Sequence, residues 1–212
     1  MIRVIIGAVP AALAMFVIGF IFHLSGLQNL ATRSLDDLPA ASVQRSLAAN
    51  LPSTGTYVIP DANGSAVQTA MYGRGPIATI SYNINGAAAL DTGSLLGLLV
   101  LDFIIALLIG AALIGVDHRV PDFGSRARVV AIFAVAAGAL MHLAAPIYYH
   151  HDWAFAIYLF IADTAALAAG GLIIARWFLP KGVSAPQEDL AAHDHPHASV
   201  AEAELRGTHE GI

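Results

Sequence analysis

Two aspartates lie inside apolar runs of the kind that cross a bilayer. Asp102 lies within residues 95–110 and Asp163 within residues 158–170, and each acid falls near the middle of its membrane-length segment. An unpaired charged carboxylate at that depth costs about 2.5–3.5 kcal/mol or more. Each acid is therefore expected to face protein, water or a partner, and the pair marks the first candidate site.

Two histidines lie on other apolar runs at a comparable depth. Counting 1.5 Å per residue from the outer ends places Asp102 and Asp163 about 15 Å deep, His142 about 10 Å and His23 about 6 Å. Asp102, His142 and Asp163 each share a helical face with small residues, which let a neighbouring helix approach closely. We expect these three side chains to form a buried polar cluster with coupled protonation.

The cluster has three interpretations. A carboxyl group that hydrogen-bonds a neighbouring helix would fix the register of the bundle and serve the fold alone, and the sequence by itself favours this interpretation. The same groups could relay protons or couple ion transport. They could also contact a partner subunit within the membrane.

The pair His23 and His142 raises the question of haem. Four-helix membrane bundles can hold b-type haem between histidines of two helices. The chain offers one such pair, and no outer arginine or lysine is placed for the propionates. We predict no cofactor, and we keep a haem- or quinone-associated redox protein as an alternative.

Two further groups of histidines could bind a divalent metal. The first group lies at the outer surface and consists of His23 and the turn residues His150, His151 and Asp152. Adjacent polar residues in such a turn are more often ordinary turn residues than metal ligands. The second consists of alternate residues near the carboxyl terminus, which project to one side of an extended chain: His193, His195 and His197. Imidazole is a good ligand for zinc, copper or nickel. A disordered tail has no surrounding residues that orient the imidazoles, so we expect any metal binding there to be adventitious.

Composition places the chain among membrane proteins. Of its 212 residues 57% are hydrophobic and only 12% are charged, and the mean hydropathy is +0.69. The chain has no cysteine, which excludes disulfides and thiolate chemistry, and its net charge of −5 argues against nucleic acid. It lacks the motifs of P-loop, serine hydrolase, zinc protease and dinucleotide-binding enzymes. We therefore expect a protein without enzymatic activity.

Four apolar segments predict four transmembrane helices, at residues 4–27, 92–116, 128–149 and 153–178. The predicted fold is an all-α membrane protein, a four-helix bundle with a small α+β extracytoplasmic loop domain. Its parts are helix 1 in residues 1–27, the loop domain in 28–91, helices 2–4 in 92–178 and a disordered cytoplasmic tail in 179–212.

Arginine and lysine predict the orientation. With the amino terminus inside, most of them fall on the inner side: Arg3, Arg119, Arg126, Arg128, Arg176, Lys181 and Arg206. We expect a bacterial inner (plasma) membrane protein with both termini in the cytoplasm. Its expected partners are the lipid bilayer and either another membrane protein or further copies of itself.

The outer loop has its own local pattern. Acids and a proline around residues 36–39 predict the start of a short helix that runs to about residue 49. β-Branched and aromatic residues at 55–60 and 77–82 predict two short strands, and Asp61 to Gly64 predicts a turn. Arg74, between two glycines, could bind an anion, and a turn explains the pattern at least as well.

The loop resembles an uncharacterised family of bacterial four-span integral membrane proteins. The resemblance is carried by Leu38–Pro39, Gly55 and Tyr57 before Pro60, Gly75–Pro76 and a strand that ends at Tyr82. It covers roughly residues 1–178 and implies one span, a loop domain of this size and three closely spaced spans. The polar turn before the fourth span departs from the family, whose turn is richer in tryptophan. The resemblance implies no activity.

Taken together, these patterns predict a non-enzymatic accessory, assembly or interaction subunit of the membrane. The alternative is a small proton- or ion-coupled transporter module that uses Asp102, His142 and Asp163.

Overall fold

A computed structural model describes residues 2–179, and four of its helical segments are long and apolar enough to cross a membrane. They are α1 (Ile2–Leu24), α4 (Thr92–Val116), α5 (Phe123–His142) continued by α6 (Ala144–Tyr149), and α7 (Trp153–Ile173) continued by one π-helical turn (Ile174–Phe178). The prediction of four long apolar helices is confirmed. The third starts at Phe123 rather than at Arg128.

Helices α1 and α7 form the centre of the bundle. They pack along each other, α4 packs along the far side of α1, and α5 packs along α7. Helices α4 and α5 make little direct contact, although only a short turn joins them. We call the end of the bundle that carries this turn the turn end, and the opposite end the cap end.

Small residues set how closely the central helices approach. A Cβ atom added at Gly110 of α4 would collide with Val4 of α1, and one added at Gly170 of α7 would collide with Met15 of α1. Lipid chains are as apolar as the helix surfaces, so tight packing rather than the hydrophobic effect holds such helices together. The buried core follows these contacts and includes Ala8, Ala11 and Ala106.

Three of the four long helices begin with an aspartate cap. The carboxylates of Asp91, Asp122 and Asp152 accept hydrogen bonds from the backbone N–H groups three residues later, at 2.8 to 2.9 Å. Bonds from Ser94 and Ser125 hold the pKa values of Asp91 and Asp122 below the ordinary value of 3.8. The hydrogen bonds of Asp91 and Asp122 therefore contribute their full stability above that pH and lose it as the pH falls through the lowered pKa values.

Residues 25–91, which we call the cap, connect α1 to α4. They contain a 3₁₀ turn (Leu27–Leu30), α2 (Asp37–Asn50), β1 (Gly55–Ile59), α3 (Ala66–Arg74) and β2 (Ala78–Tyr82). The two strands pair antiparallel with Tyr57 opposite Ile80. Helix α2 and both strands agree with the prediction.

Helix α3 was not predicted, and Arg74 is the last residue of this helix, directly before Gly75. The sequence did carry a signal for it. Ser65 caps α3 by accepting a hydrogen bond from the backbone N–H of Gln68, and serine followed three residues later by glutamine is a helix-start pattern.

Candidate functional site

The Asp163 carboxylate joins residues from three helices. Its Oδ2 lies 2.6 Å from Nε2 of His142, a hydrogen bond between α7 and α5. Its Oδ1 lies 4.0 Å from Nε2 of His23 on α1. We call Asp163, His142, His23 and the neighbouring Asp102 the polar cluster. The predicted contact between His142 and Asp163 is therefore present.

Asp102 completes the cluster from the fourth long helix. Its side chain is buried, with 8% of the residue exposed, and it makes no hydrogen bond with any other residue of 2–179. It lies close enough to Asp163 for the two carboxyl groups to interact electrostatically. Two neighbouring carboxylates repel each other when both are ionised.

Pro146 fixes the position of His142. A proline in a helix has no N–H to give to the carbonyl four residues earlier, and its ring collides with that carbonyl. Here the carbonyl belongs to His142, where α5 ends and the shorter α6 begins after one turn residue. The imidazole thus projects from a helix terminus over α7 rather than from a continuous helix.

Tyr158 fixes the position of His23. Its hydroxyl group donates a hydrogen bond to the carbonyl of Phe22, and the two rings meet edge to face with their centroids 5.7 Å apart. This contact ties the last turn of α1 to α7 one residue before His23. The sequence predicted His23 as part of the outer polar group. Its position 4.0 Å from the Asp163 carboxylate was not predicted.

Gly138 and Thr164 set the spacing between α5 and α7 next to the cluster. A Cβ atom at Gly138 would collide with the Thr164 hydroxyl and press on Phe160. The buried Thr164 hydroxyl has no hydrogen-bond partner among the described residues. The close approach of the two helices at this point lets the His142 imidazole reach Asp163.

The cluster is open on one side. The side chain of His142 is 14% exposed, whereas those of Asp163 and His23 are 35% and 40% exposed. His23 lies in the last turn of α1, towards the cap end. The exposed part of the cluster therefore lies towards the cap end, at His23.

The geometry does not favour the haem alternative. Both imidazoles direct Nε2 towards the Asp163 carboxylate, so a macrocycle between them would have to displace that carboxylate. Within residues 2–179, no three histidine, aspartate or glutamate side chains are arranged so that they could hold a metal ion.

The outer histidines lie at a second site. His150, His151 and Asp152 line a pocket of about 420 Å³ between the cap and the start of α7. Asp152 is used as the helix cap of α7, and His150 has a left-handed backbone conformation with φ of 55°. The remaining predicted metal residues, His193, His195 and His197, lie outside the described residues, as does nearly all of the predicted tail.

Arg126 is a buried residue that sequence reasoning had used only as a topology signal. It is 3% exposed, donates Nε–H to the carbonyl of Val120 at 2.9 Å, and forms an ion pair with Asp117. These contacts close the turn between α4 and α5. Asp117 and Arg126 are nine residues apart on either side of a turn. This spacing matches no helical repeat, so the sequence did not predict the ion pair.

No family model, curated protein or solved structure matches this chain. The resemblance to the four-span bacterial family therefore stays a prediction.

Proposed function

We propose that this chain is a proton-coupled membrane module whose polar cluster binds a proton from the cap side. The observation that carries the proposal is the Asp163 carboxylate, which lies between His142 at 2.6 Å and His23 at 4.0 Å. A side chain that served only to tie two helices together would need one partner. Here each of the four long helices supplies one ionisable side chain to the same cluster.

The path for the proton starts at the exposed imidazole of His23. A gap of 4.0 Å is too long for a direct hydrogen bond, and a rotation of the imidazole or one water molecule closes it. The proton then reaches Asp163, which shares it with His142. Between the polar cluster and the turn end, the described parts of the four long helices carry no ionisable side chain except the arginines near the turn end of α1, α5 and α7, so exchange takes place with the cap side.

Protonation would change how the helices pack. A charged imidazole–carboxylate hydrogen bond is shorter and about twice as strong as a neutral one. The contact between α5 and α7 at His142 would therefore strengthen or weaken with the charge on the pair. This is the step by which proton binding would be coupled to transport or to a partner.

The arginines favour one orientation in the membrane. Arg119, Arg126 and Arg128 lie at or near the turn end, and Arg3 and Arg176 lie near the same end of α1 and α7. By the positive-inside rule the turn end faces the cytoplasm. We place the protein in the bacterial inner membrane with the cap outside.

Asp163→Asn provides the first test, because asparagine keeps the size of the side chain and can still hydrogen-bond His142. Between about pH 5 and 8, the range in which imidazoles titrate, the wild-type protein in liposomes is expected to take up about one proton more than the variant. Potentiometric difference titration from the cap side measures this uptake.

Asp36→Asn is the matched control, since Asp36 lies in the cap and its side chain makes no capping hydrogen bond. This variant should titrate in that range like the wild type. If Asp163→Asn folds normally and takes up the same number of protons as the wild type, the proposal is wrong. It is also wrong if substitutions of both buried acids lower only the thermal stability.

A second candidate function is that of an accessory subunit that binds a membrane partner at the cap end. The pocket there is formed jointly by Tyr72 and Thr79 of the cap and by Tyr149 and His151 of the bundle. Tyrosine-rich surfaces of this kind are enriched at protein interfaces.

A photo-crosslinking residue at Tyr72 is expected to capture one defined membrane protein in native membranes, whereas the same residue at Tyr82, outside the pocket, should not. The captured protein should then bind the purified chain on co-reconstitution. Equal background at both positions would argue against an accessory role at this pocket.

A further inference from the structure

The turn-end half of the bundle contains an apolar cleft between α4 and α5. Its volume is about 410 Å³, within the range of ligand pockets in proteins. The walls are formed by Leu108 and Ala112 of α4 and by Phe133 and Ala137 of α5, and Leu167 of α7 lies at its base. The cleft is distinct from the polar cluster, none of whose members line it.

The cleft results from the way the helices are packed. Gly171 of α7 lies against Val130 of α5 and Ile109 of α4, so α7 spaces these two helices apart. The floor is buried, whereas the walls are open, with Leu108 65% and Phe133 71% exposed. A dry apolar groove that opens sideways from a membrane-spanning bundle matches a hydrocarbon chain in both polarity and shape.

Two basic residues lie close in the chain to residues that line the cleft at its turn end. Val116 and Val129 line the cleft at the turn end, and Arg119 and Arg128 follow or precede them closely in the chain. Both arginines are exposed, and neither forms an ion pair within residues 2–179.

The acids of this turn are already engaged. Asp117 pairs with Arg126 and Asp122 caps α5. The guanidinium groups of Arg119 and Arg128 therefore give the turn next to the cleft an excess of positive charge, and guanidinium binds phosphate in a bidentate geometry.

We propose that the cleft binds one anionic phospholipid, with an acyl chain between α4 and α5 and the phosphate at Arg119 and Arg128. The lipid covers the apolar walls that α4 and α5 leave unfilled. The site is independent of the proton-binding proposal, because it lies at the other end of the bundle and uses other residues.

Ala112→Phe tests the occupancy of the cleft, with Ala111→Phe as the matched control, because residue 111 is adjacent in α4 and does not line the cleft. Each protein is purified in mild detergent, incubated with phosphatidylglycerol or phosphatidylcholine, and examined by native mass spectrometry. The wild type and Ala111→Phe should retain one phosphatidylglycerol. Ala112→Phe should bind it about tenfold more weakly, a loss of ~1.4 kcal/mol. Ala137→Phe repeats the test from α5 in case Ala112→Phe does not fold.

Arg119→Gln and Arg128→Gln test the headgroup. Each is expected to weaken phosphatidylglycerol binding about fivefold, the effect of one basic residue at an anionic membrane surface, and to leave phosphatidylcholine unchanged. Equal retention by Ala111→Phe and Ala112→Phe would overturn the proposal, as would no headgroup preference in the wild type. A doubled mass in light scattering that Ala112→Phe abolishes would show that a second copy fills the cleft, which would overturn it as well.

Discussion

Asp117→Ala is expected to lower the free energy of unfolding by about 3 kcal/mol, because it removes the carboxylate that is paired with a buried guanidinium. Arg126 is 3% exposed, so its charge would stay in the interior of the turn with less compensation. The hydrogen bond from Arg126 to the carbonyl of Val120 remains and limits the loss. Equilibrium unfolding in mixed micelles measures the difference.

Arg126→Met is the informative comparison. Methionine removes the buried charge, and it leaves behind Asp117, whose side chain is 28% exposed and can be solvated. This variant should therefore be less destabilised than Asp117→Ala. If the two variants lose the same stability, or if the order is reversed, the ion pair does not close the turn in the way described above.

Gly138→Ala is expected to destabilise the bundle by about 1–3 kcal/mol, the usual cost of overpacking an interior. The added methyl group meets the Thr164 hydroxyl and Phe160, so α5 has to move away from α7. The hydrogen bond between His142 and Asp163 spans the same two helices, and it should lengthen or break. Thermal unfolding and the proton titration of the reconstituted protein report the two effects.

Thr164→Ala provides the rescue. The Thr164 hydroxyl is buried without a hydrogen-bond partner among the described residues, so its removal alone should change the free energy of unfolding little. In the double variant the missing hydroxyl makes room for the methyl group at position 138, and most of the lost stability should return. If Gly138→Ala is equally harmful with and without Thr164, the close contact between these residues is not what sets the helix spacing.

The long helices were predictable because each carries its signal within itself. A run of about 20 apolar residues suffices to mark a membrane-length helix, and Val4, Val100 or Ile161 each add to that signal regardless of their neighbours. The pairing of His142 with Asp163 was also predictable in outline, because counting residues places both at a similar depth. The strands of the cap followed from β-branched residues at 55–60 and 77–82.

The missed features depend on information from more than one element. His23 reaches Asp163 because Tyr158 ties the end of α1 to α7, and no pattern within α1 encodes that contact. The burial of Arg126 likewise depends on the path of the following turn. The break after His142 was different, since Pro146 stood in the sequence as a usable signal that the apolar run concealed.

The central position of α1 has a consequence for biogenesis. The ribosome delivers α1 first, yet its two packing partners are the second and the last of the membrane-length helices. Until α7 is in place, His23 lacks the Asp163 carboxylate that lies 4.0 Å from it in the finished bundle. Release of the finished bundle from the insertion machinery should therefore depend on the arrival of the last span, and a chain truncated before α7 should be a substrate for membrane quality-control proteases.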